Sequence, residues 1–277
     1  MRIKFALAGA ALLAIVATTA SAQNAFERST DKQVVKLVDS LGKNLKEYRS
    51  ALDKDFRKSV IRTATGEVDV ERYLDDLETA TKTLGDRFND KYAASSEVAD
   101  LLKKAAPANT YMHEHSTLAG ASEWDRFAAD LNRLAAAYGA TFPPAANAVV
   151  RRIGDGELTQ SLSALEKAPK TIGSPLSKAA KGNPALATVS GAATSGLDSL
   201  GAAAKTLHGR VDKGDPATAE ARQIQTLADK LDPVFANAAV PADVKALWTT
   251  SRGNVDKVLQ AFGLGKPAAA GAAPAAR

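Results

Sequence analysis

Cysteine is absent from this chain of 277 residues. The sequence therefore excludes disulfide bonds, thiolate metal ligands, a cysteine nucleophile and cysteine-attached haem. Aromatic residues are also scarce, at 5% of the chain. No stretch alternates β-branched and polar residues between tight-turn signals, so the sequence predicts no strand.

A basic start is followed by a short apolar run and then by Ala20-Ser21-Ala22. This order is typical of a cleavable secretory signal, so residues 1–22 are predicted to be a signal peptide. The alternative is an uncleaved membrane anchor, but the apolar run is shorter than the roughly 20 residues that cross a bilayer. The mature protein is expected to be periplasmic or secreted, with no stable membrane anchor after cleavage.

The charge of the mature chain is close to balanced. Cleavage removes Arg2 and Lys4, which lowers the basic count from 36 to 34 against 31 acids and leaves a net charge of +3. No basic block resembles a nucleic-acid-binding arm, so nucleic acid is not a predicted partner. Residues 71–130 carry a net charge of −5 and residues 131–277 a net charge of +6. Such asymmetry can draw together two parts of one fold or two copies of the chain.

Apolar residues recur at intervals of three and four along most of the chain, which predicts helices. The predicted fold is all-α: an antiparallel helical bundle or a short stack of helical hairpins, with about eight helices and no sheet. The helical domain spans residues 23–263, with a possible sub-boundary near residues 107–121. The Ala/Pro/Gly-rich residues 264–277 are predicted to be a disordered tail.

The clearest helical pattern covers residues 29–62. Thr30 and Gln33 have the spacing of a capping box at its start. One apolar stripe with coiled-coil-like spacing follows; it consists of Val34, Val38, Leu41, Leu45, Tyr48, Leu52, Phe56 and Val60.

Prolines mark two further expected boundaries. A helix that starts near Ser95 or Ser96 is expected to be disrupted at Pro107. Pro144 suits the first turn of a new helix, which would carry Val149 and Ile153 on its apolar face.

The stretch "YMHEH" holds the candidate metal ligands, His113 and His115. On an extended connector the two side chains would lie on one side and could bind zinc or copper, with further ligands from elsewhere in the chain. On a helix they would point roughly 200° apart and could not share a metal ion. The alternative interpretation is an exposed polar connector.

No catalytic residue and no cofactor is predicted. The chain lacks the serine-nucleophile patterns G-x-S-x-G and S-x-x-K and has no phosphate-binding loop. The acids at 71, 75, 76 and 78 are interpreted as a solvated helix face. The favoured function is therefore a non-enzymatic helical envelope protein that acts as an interaction scaffold for another envelope macromolecule or a second copy of itself. The alternative is a periplasmic metal or small-ligand binding protein that uses the His113/His115 connector.

Overall fold

The structure, a computed structural model, describes residues 28–63 and 66–264. These ranges contain ten α-helices and one two-stranded hairpin, which confirms the predicted all-α class. The predicted signal peptide at residues 1–22 and the predicted tail from residue 265 onward lie outside the described residues. No helix within the described ranges is both long enough and apolar enough to cross a membrane.

Most helices and strands follow one another with short connections, and the longest connection, residues 138–154, links α5 to α6. In chain order they are α1 (Asp31–Ala51), α2 (Lys54–Arg57), β1 (Val60–Thr63), β2 (Gly66–Asp69), α3 (Val70–Arg87), α4 (Ser95–Glu114), α5 (Ala121–Ala137), α6 (Asp155–Glu166), α7 (Ser174–Ala180), α8 (Pro184–Lys213), α9 (Thr218–Ala236) and α10 (Ala242–Ala261). A π-helical segment, Pro169–Gly173, leads into α7.

The helices form two four-helix bundles in series. In the first, α1, α3, α4 and α5 pack each against the next, and α5 closes the ring on α1. In the second, α6, α8, α9 and α10 form an equivalent ring, and α7 lies on α8. Each bundle has its own apolar core, one within residues 34–142 and the other within residues 153–262. Residues 107–121 lie inside the first bundle.

The start of α1 follows the prediction and its end does not. The Thr30 hydroxyl accepts the backbone N–H of Gln33 at 3.2 Å, which confirms the capping box. The helix then ends at Ala51 instead of continuing to residue 62. The reason is Asp53, whose carboxylate accepts the backbone N–H groups of Asp55 and Phe56 and so begins the separate helix α2.

The prediction of no sheet was wrong in one place. β1 and β2 pair antiparallel, with Val60 opposite Asp69 and Ile61 opposite Val68. β-branched residues favour this pairing, and Gly66 adopts a φ of +141° that side-chain-bearing residues rarely adopt. The apolar spacing of four residues continues to Val60 and therefore predicts a helix there. The spacing alone does not show that the helix has ended and that a hairpin strand has begun.

Both proline predictions were also wrong. α4 continues through Pro107 to Glu114, whereas no helix follows Pro144 until α6 begins at Asp155. The link between the bundles is held in an extended form by two hydrogen bonds instead. Arg151 N–H donates to the Tyr138 carbonyl oxygen at 3.1 Å, and Arg152 N–H donates to the Ser95 hydroxyl at 3.3 Å.

An ionic clasp of Arg28, Asp31, Arg152 and Asp155 joins the two bundles where α1 and α6 begin. The Arg152 guanidinium is ion-paired with Asp31, and its side chain is 4% exposed. Arg28 is ion-paired with Asp155. The two aspartates also cap each other's helix: Asp31 N–H donates to Asp155 Oδ2 at 2.8 Å, and Asp155 N–H donates to Asp31 Oδ2 at 2.9 Å. Carboxylates at helix N-termini are stabilised by the helix dipole.

Each bundle contains one tryptophan, in its last helix, tied to the helix before it. Trp124 on α5 donates its indole N–H to Asn109 Oδ1 on α4 at 3.2 Å. Trp248 on α10 donates its indole N–H to Asp232 Oδ1 on α9 at 3.0 Å. Both rings are buried, so each provides a spectroscopic probe of its own bundle.

Candidate functional site

An apolar groove opens at the end of the first bundle that lies away from the ionic clasp. It has a volume of about 490 Å³ and lies between the last turns of α1, the hairpin, the first turns of α3 and the second half of α4. We name it the tyrosine groove. It is lined by Tyr48, Phe56, Ile61, Val68, Val70, Tyr73, Leu74, Pro107, Ala108, Thr110, Tyr111 and Glu114.

The early end of α1 creates this groove. Because the chain leaves the helix after Ala51, α2 and the hairpin lie beside the bundle end. Ile61 and Val68 face each other across the paired strands, and both contribute to the wall together with Phe56 of α2. The groove is therefore formed where a long continuous helix was expected.

Tyr73 supports the wall of the groove at Pro107. A proline inside a helix lacks the N–H of a normal turn, and such positions are stabilised where a side chain joins the backbone ladder. The Tyr73 hydroxyl donates to the carbonyl oxygen of Lys104, one turn before the proline. Burial raises the pKa of Tyr73 to about 12, and a hydrogen bond from the Ala108 backbone partly opposes that rise. The carbonyl oxygen that Pro107 leaves without its usual N–H donor is that of Lys103, so the Tyr73 hydroxyl ties down the adjacent carbonyl, that of Lys104, where α4 passes through the proline.

Tyr48 brings a hydroxyl group to the groove. The residue is 4% exposed, and its ring packs edge-on against Trp124 with a centroid separation of 5.1 Å. Its hydroxyl makes no hydrogen bond to any residue that the structure describes. Burial, followed by the neighbouring Tyr73 and Tyr111, raises the pKa of Tyr48 well above its ordinary value. The hydroxyl oxygen is not among the fully buried polar atoms that lack a partner in the described residues, so a ligand or water in the groove can reach it.

The stretch "YMHEH" borders the groove through Tyr111 and Glu114. Tyr111 stacks between Phe56, at 6.2 Å between ring centroids, and His115, at 4.2 Å. His115 Nδ1–H also donates to the Tyr111 carbonyl oxygen at 2.9 Å. Glu114 is exposed at the rim. Within this stretch, the groove is lined by Tyr111, which precedes both histidines, and by Glu114, which lies between them.

His113 and His115 are not on the extended connector that a shared metal site requires. His113 is an exposed residue in the last turn of α4, and His115 follows directly as the C-cap. The described part of the chain contains no group of three His, Asp or Glu side chains placed to hold a metal ion. A zinc or copper site that uses these two histidines stays a prediction.

The acids of α3 form an ion-pair cluster on the helix surface. Arg49 of α1 contacts Glu71, Asp75 at 2.7 Å and Glu78 at 3.2 Å. These hydrogen bonds raise the pKa of Arg49 above its ordinary value. One arginine shared by three carboxylates leaves a local excess of negative charge on the α1–α3 surface.

The raised tyrosine pKa values predict how the folded protein responds to alkali. A folded-state pKa above the unfolded value of about 10 means that the neutral phenol is favoured in the fold. The associated stability is complete below pH 10 and is lost as the pH rises through about 12 for Tyr73. We expect absorbance at 295 nm to show Tyr73 ionising together with the loss of helical circular dichroism, and Tyr73→Phe to remove that step. Ionisation of Tyr73 near pH 10 in a fully helical protein would contradict this assignment.

No family model, curated protein or solved structure matches the chain.

Proposed function

We propose that this chain is an exported, non-enzymatic helical protein of the cell envelope that binds a small apolar ligand in the tyrosine groove. The groove itself carries the proposal. Its volume of about 490 Å³ falls in the range of roughly 300–1,000 Å³ that is usual for small-molecule sites. Its walls are aliphatic and aromatic, with few polar groups, as such sites require. The basic and apolar N-terminal pattern supports export.

The lining residues support binding without catalysis. A general acid or base must have a pKa near the operating pH. Tyr48 and Tyr73 have raised pKa values and remain neutral there. Glu114 is exposed at the rim, and no lining residue is a serine, cysteine, lysine or histidine. The Thr110 hydroxyl donates to the Ala106 carbonyl oxygen at 3.4 Å and has no base beside it among the lining residues. The groove therefore offers shape and apolar contact without an activated nucleophile.

Filling the groove tests the proposal. Ala108 is a half-exposed lining residue on α4, so Ala108→Phe would occupy the groove without removing a core side chain. With 4-phenylbutan-1-ol as a neutral apolar probe, we expect saturable binding to the wild-type protein by ligand-observed NMR. We expect Ala108→Phe to weaken that binding by about tenfold or more, because the probe and the new ring compete for the same volume.

Ala129→Phe is the matched control, since Ala129 is exposed on α5 of the same bundle and does not line the groove. It should bind the probe like the wild type. Circular dichroism of both variants separates loss of binding from loss of fold. Equal binding by Ala108→Phe and wild type, with both folded, would place the ligand elsewhere and overturn the proposal.

The interaction scaffold is the second candidate, and the hairpin favours it. Within the described residues β1 and β2 pair only with each other, so each strand has an outer edge without a neighbouring strand. Val60 on β1 is 53% exposed. Open edges of this kind accept an added strand from a partner protein. Partner binding that persists in Ala108→Phe would favour this candidate over ligand binding in the groove.

A further inference from the structure

The charge pattern of the tyrosine groove specifies its ligand further. Glu114 is the one charged residue among those that line the groove, and it has no ion pair with any described residue. We infer that the ligand is a small organic cation, an amine or quaternary ammonium group on an aromatic or aliphatic body. This inference rests on the proposed function and assigns the class of ligand.

The lining of the groove favours a positive charge, since its one charged side chain is a carboxylate. Two nearby bases are already paired: Arg62 with Glu67 at 3.2 Å across the hairpin, and Lys104 with Asp100 at 3.0 Å on α4. Lys54 and Arg57 of α2 have no ion pair within the described residues. The cluster around Arg49, described above, carries more acids than bases and lies next to Tyr48 in the chain. A cation that enters the groove would therefore meet one unpaired carboxylate and no base among the lining residues.

The aromatic lining acts in the same direction. The faces of tyrosine and phenylalanine rings attract ammonium groups, and Tyr48, Phe56 and Tyr73 line the groove. Tyr111 also lines it, but its ring is stacked between Phe56 and His115. The Tyr48 hydroxyl, which has no hydrogen-bond partner among the described residues, can accept a hydrogen bond from an ammonium N–H. The apolar walls then hold the body of the ligand while its charged group lies toward Glu114.

Three probes with one apolar body test this inference: 4-phenylbutylamine, 4-phenylbutan-1-ol and 4-phenylbutanoate. An exposed ion pair changes an affinity by only a few fold. We therefore expect Glu114→Gln to weaken the binding of the amine by roughly twofold to fivefold and to leave the affinity for the alcohol unchanged. The carboxylate should bind wild type more weakly than the amine. The loss of amine affinity caused by Glu114→Gln should be smaller in 0.5 M salt, because salt screens exposed charges.

Asp198→Asn is the matched control, because Asp198 is an exposed carboxylate on α8 in the other bundle. It makes the same charge change and should alter no affinity. If Glu114→Gln weakens the amine and the alcohol equally, or weakens neither, the inference falls while groove binding stands. The inference also falls if the carboxylate binds most tightly, a test that matters because α2 beside Phe56 carries Lys54 and Arg57. If none of the three probes binds wild type, the proposed function falls with it.

Discussion

Arg152→Met is expected to destabilise the protein by about 3–5 kcal/mol, because it removes one partner of a buried ion pair. The Arg152 side chain is 4% exposed, and Asp31 is 16% exposed. Methionine keeps much of the arginine's length but leaves the Asp31 carboxylate without its closest cation. It also leaves the Ser29 carbonyl oxygen without the guanidinium N–H that donates to it at 2.7 Å.

The expected loss is measured as the free energy of unfolding from urea titrations followed by tryptophan fluorescence. Asp31→Asn in the same chain should recover part of it, because an amide still accepts the Asp155 N–H and no uncompensated charge remains. We expect the double variant to be at least 1 kcal/mol more stable than the sum of the single effects predicts, as contacting partners usually show.

A surface arginine provides the control. Arg62 pairs with Glu67 at 3.2 Å, and the two side chains are 87% and 63% exposed, so Arg62→Met should change stability by less than about 0.5 kcal/mol. Apolar replacements of buried ion pairs are sometimes neutral. If Arg152→Met were neutral or stabilising, the ionic clasp would be a passive feature of the bundle junction.

The helical class and the core of α1 could be predicted because both depend on local periodicity. The stripe from Val34 to Tyr48 is buried as its spacing indicates, and the capping box is set within four residues of sequence. The end of α1 could not be predicted from the same spacing. Asp53 stops the helix by accepting two backbone N–H groups. The apolar residues keep the same spacing on both sides of Asp53, so the spacing does not reveal where the helix ends.

No short sequence pattern indicated the tyrosine groove. Tyr48, Tyr73 and Tyr111 lie more than 20 residues apart in sequence, and each fits a helical stripe by itself. Pro107 indicated a helix end, and no local pattern shows that the Tyr73 hydroxyl, from a different helix, donates to the nearby Lys104 carbonyl oxygen. The residues before and between the two histidines line the groove, but their role depends on α4 continuing as a helix. The sequence singled out this segment for His113 and His115 as metal ligands, whereas packing places Tyr111 and Glu114 in the groove lining.

Because the two bundles have separate apolar cores, we expect each bundle to unfold in its own transition, whose midpoint responds to substitutions in its own core. Leu101 on α4 and Leu200 on α8 are both 0% exposed and belong to different apolar cores. Truncating either to alanine should cost about 3–5 kcal/mol, from lost apolar contact and the cavity left behind. Apolar clusters that share no residue can lose their packing independently when the contact between them is mostly polar.

Single-tryptophan proteins measure each bundle alone. With Trp248→Phe as background, Trp124 reports the first bundle; with Trp124→Phe, Trp248 reports the second. We expect Leu101→Ala to lower the urea midpoint reported by Trp124 and to leave the Trp248 midpoint nearly unchanged. Leu200→Ala should do the reverse. Equal shifts of both midpoints in either variant would show that the clasp couples the bundles into one cooperative unit. Arg152→Met would then be expected to separate the two transitions, because it removes the most buried link of the clasp.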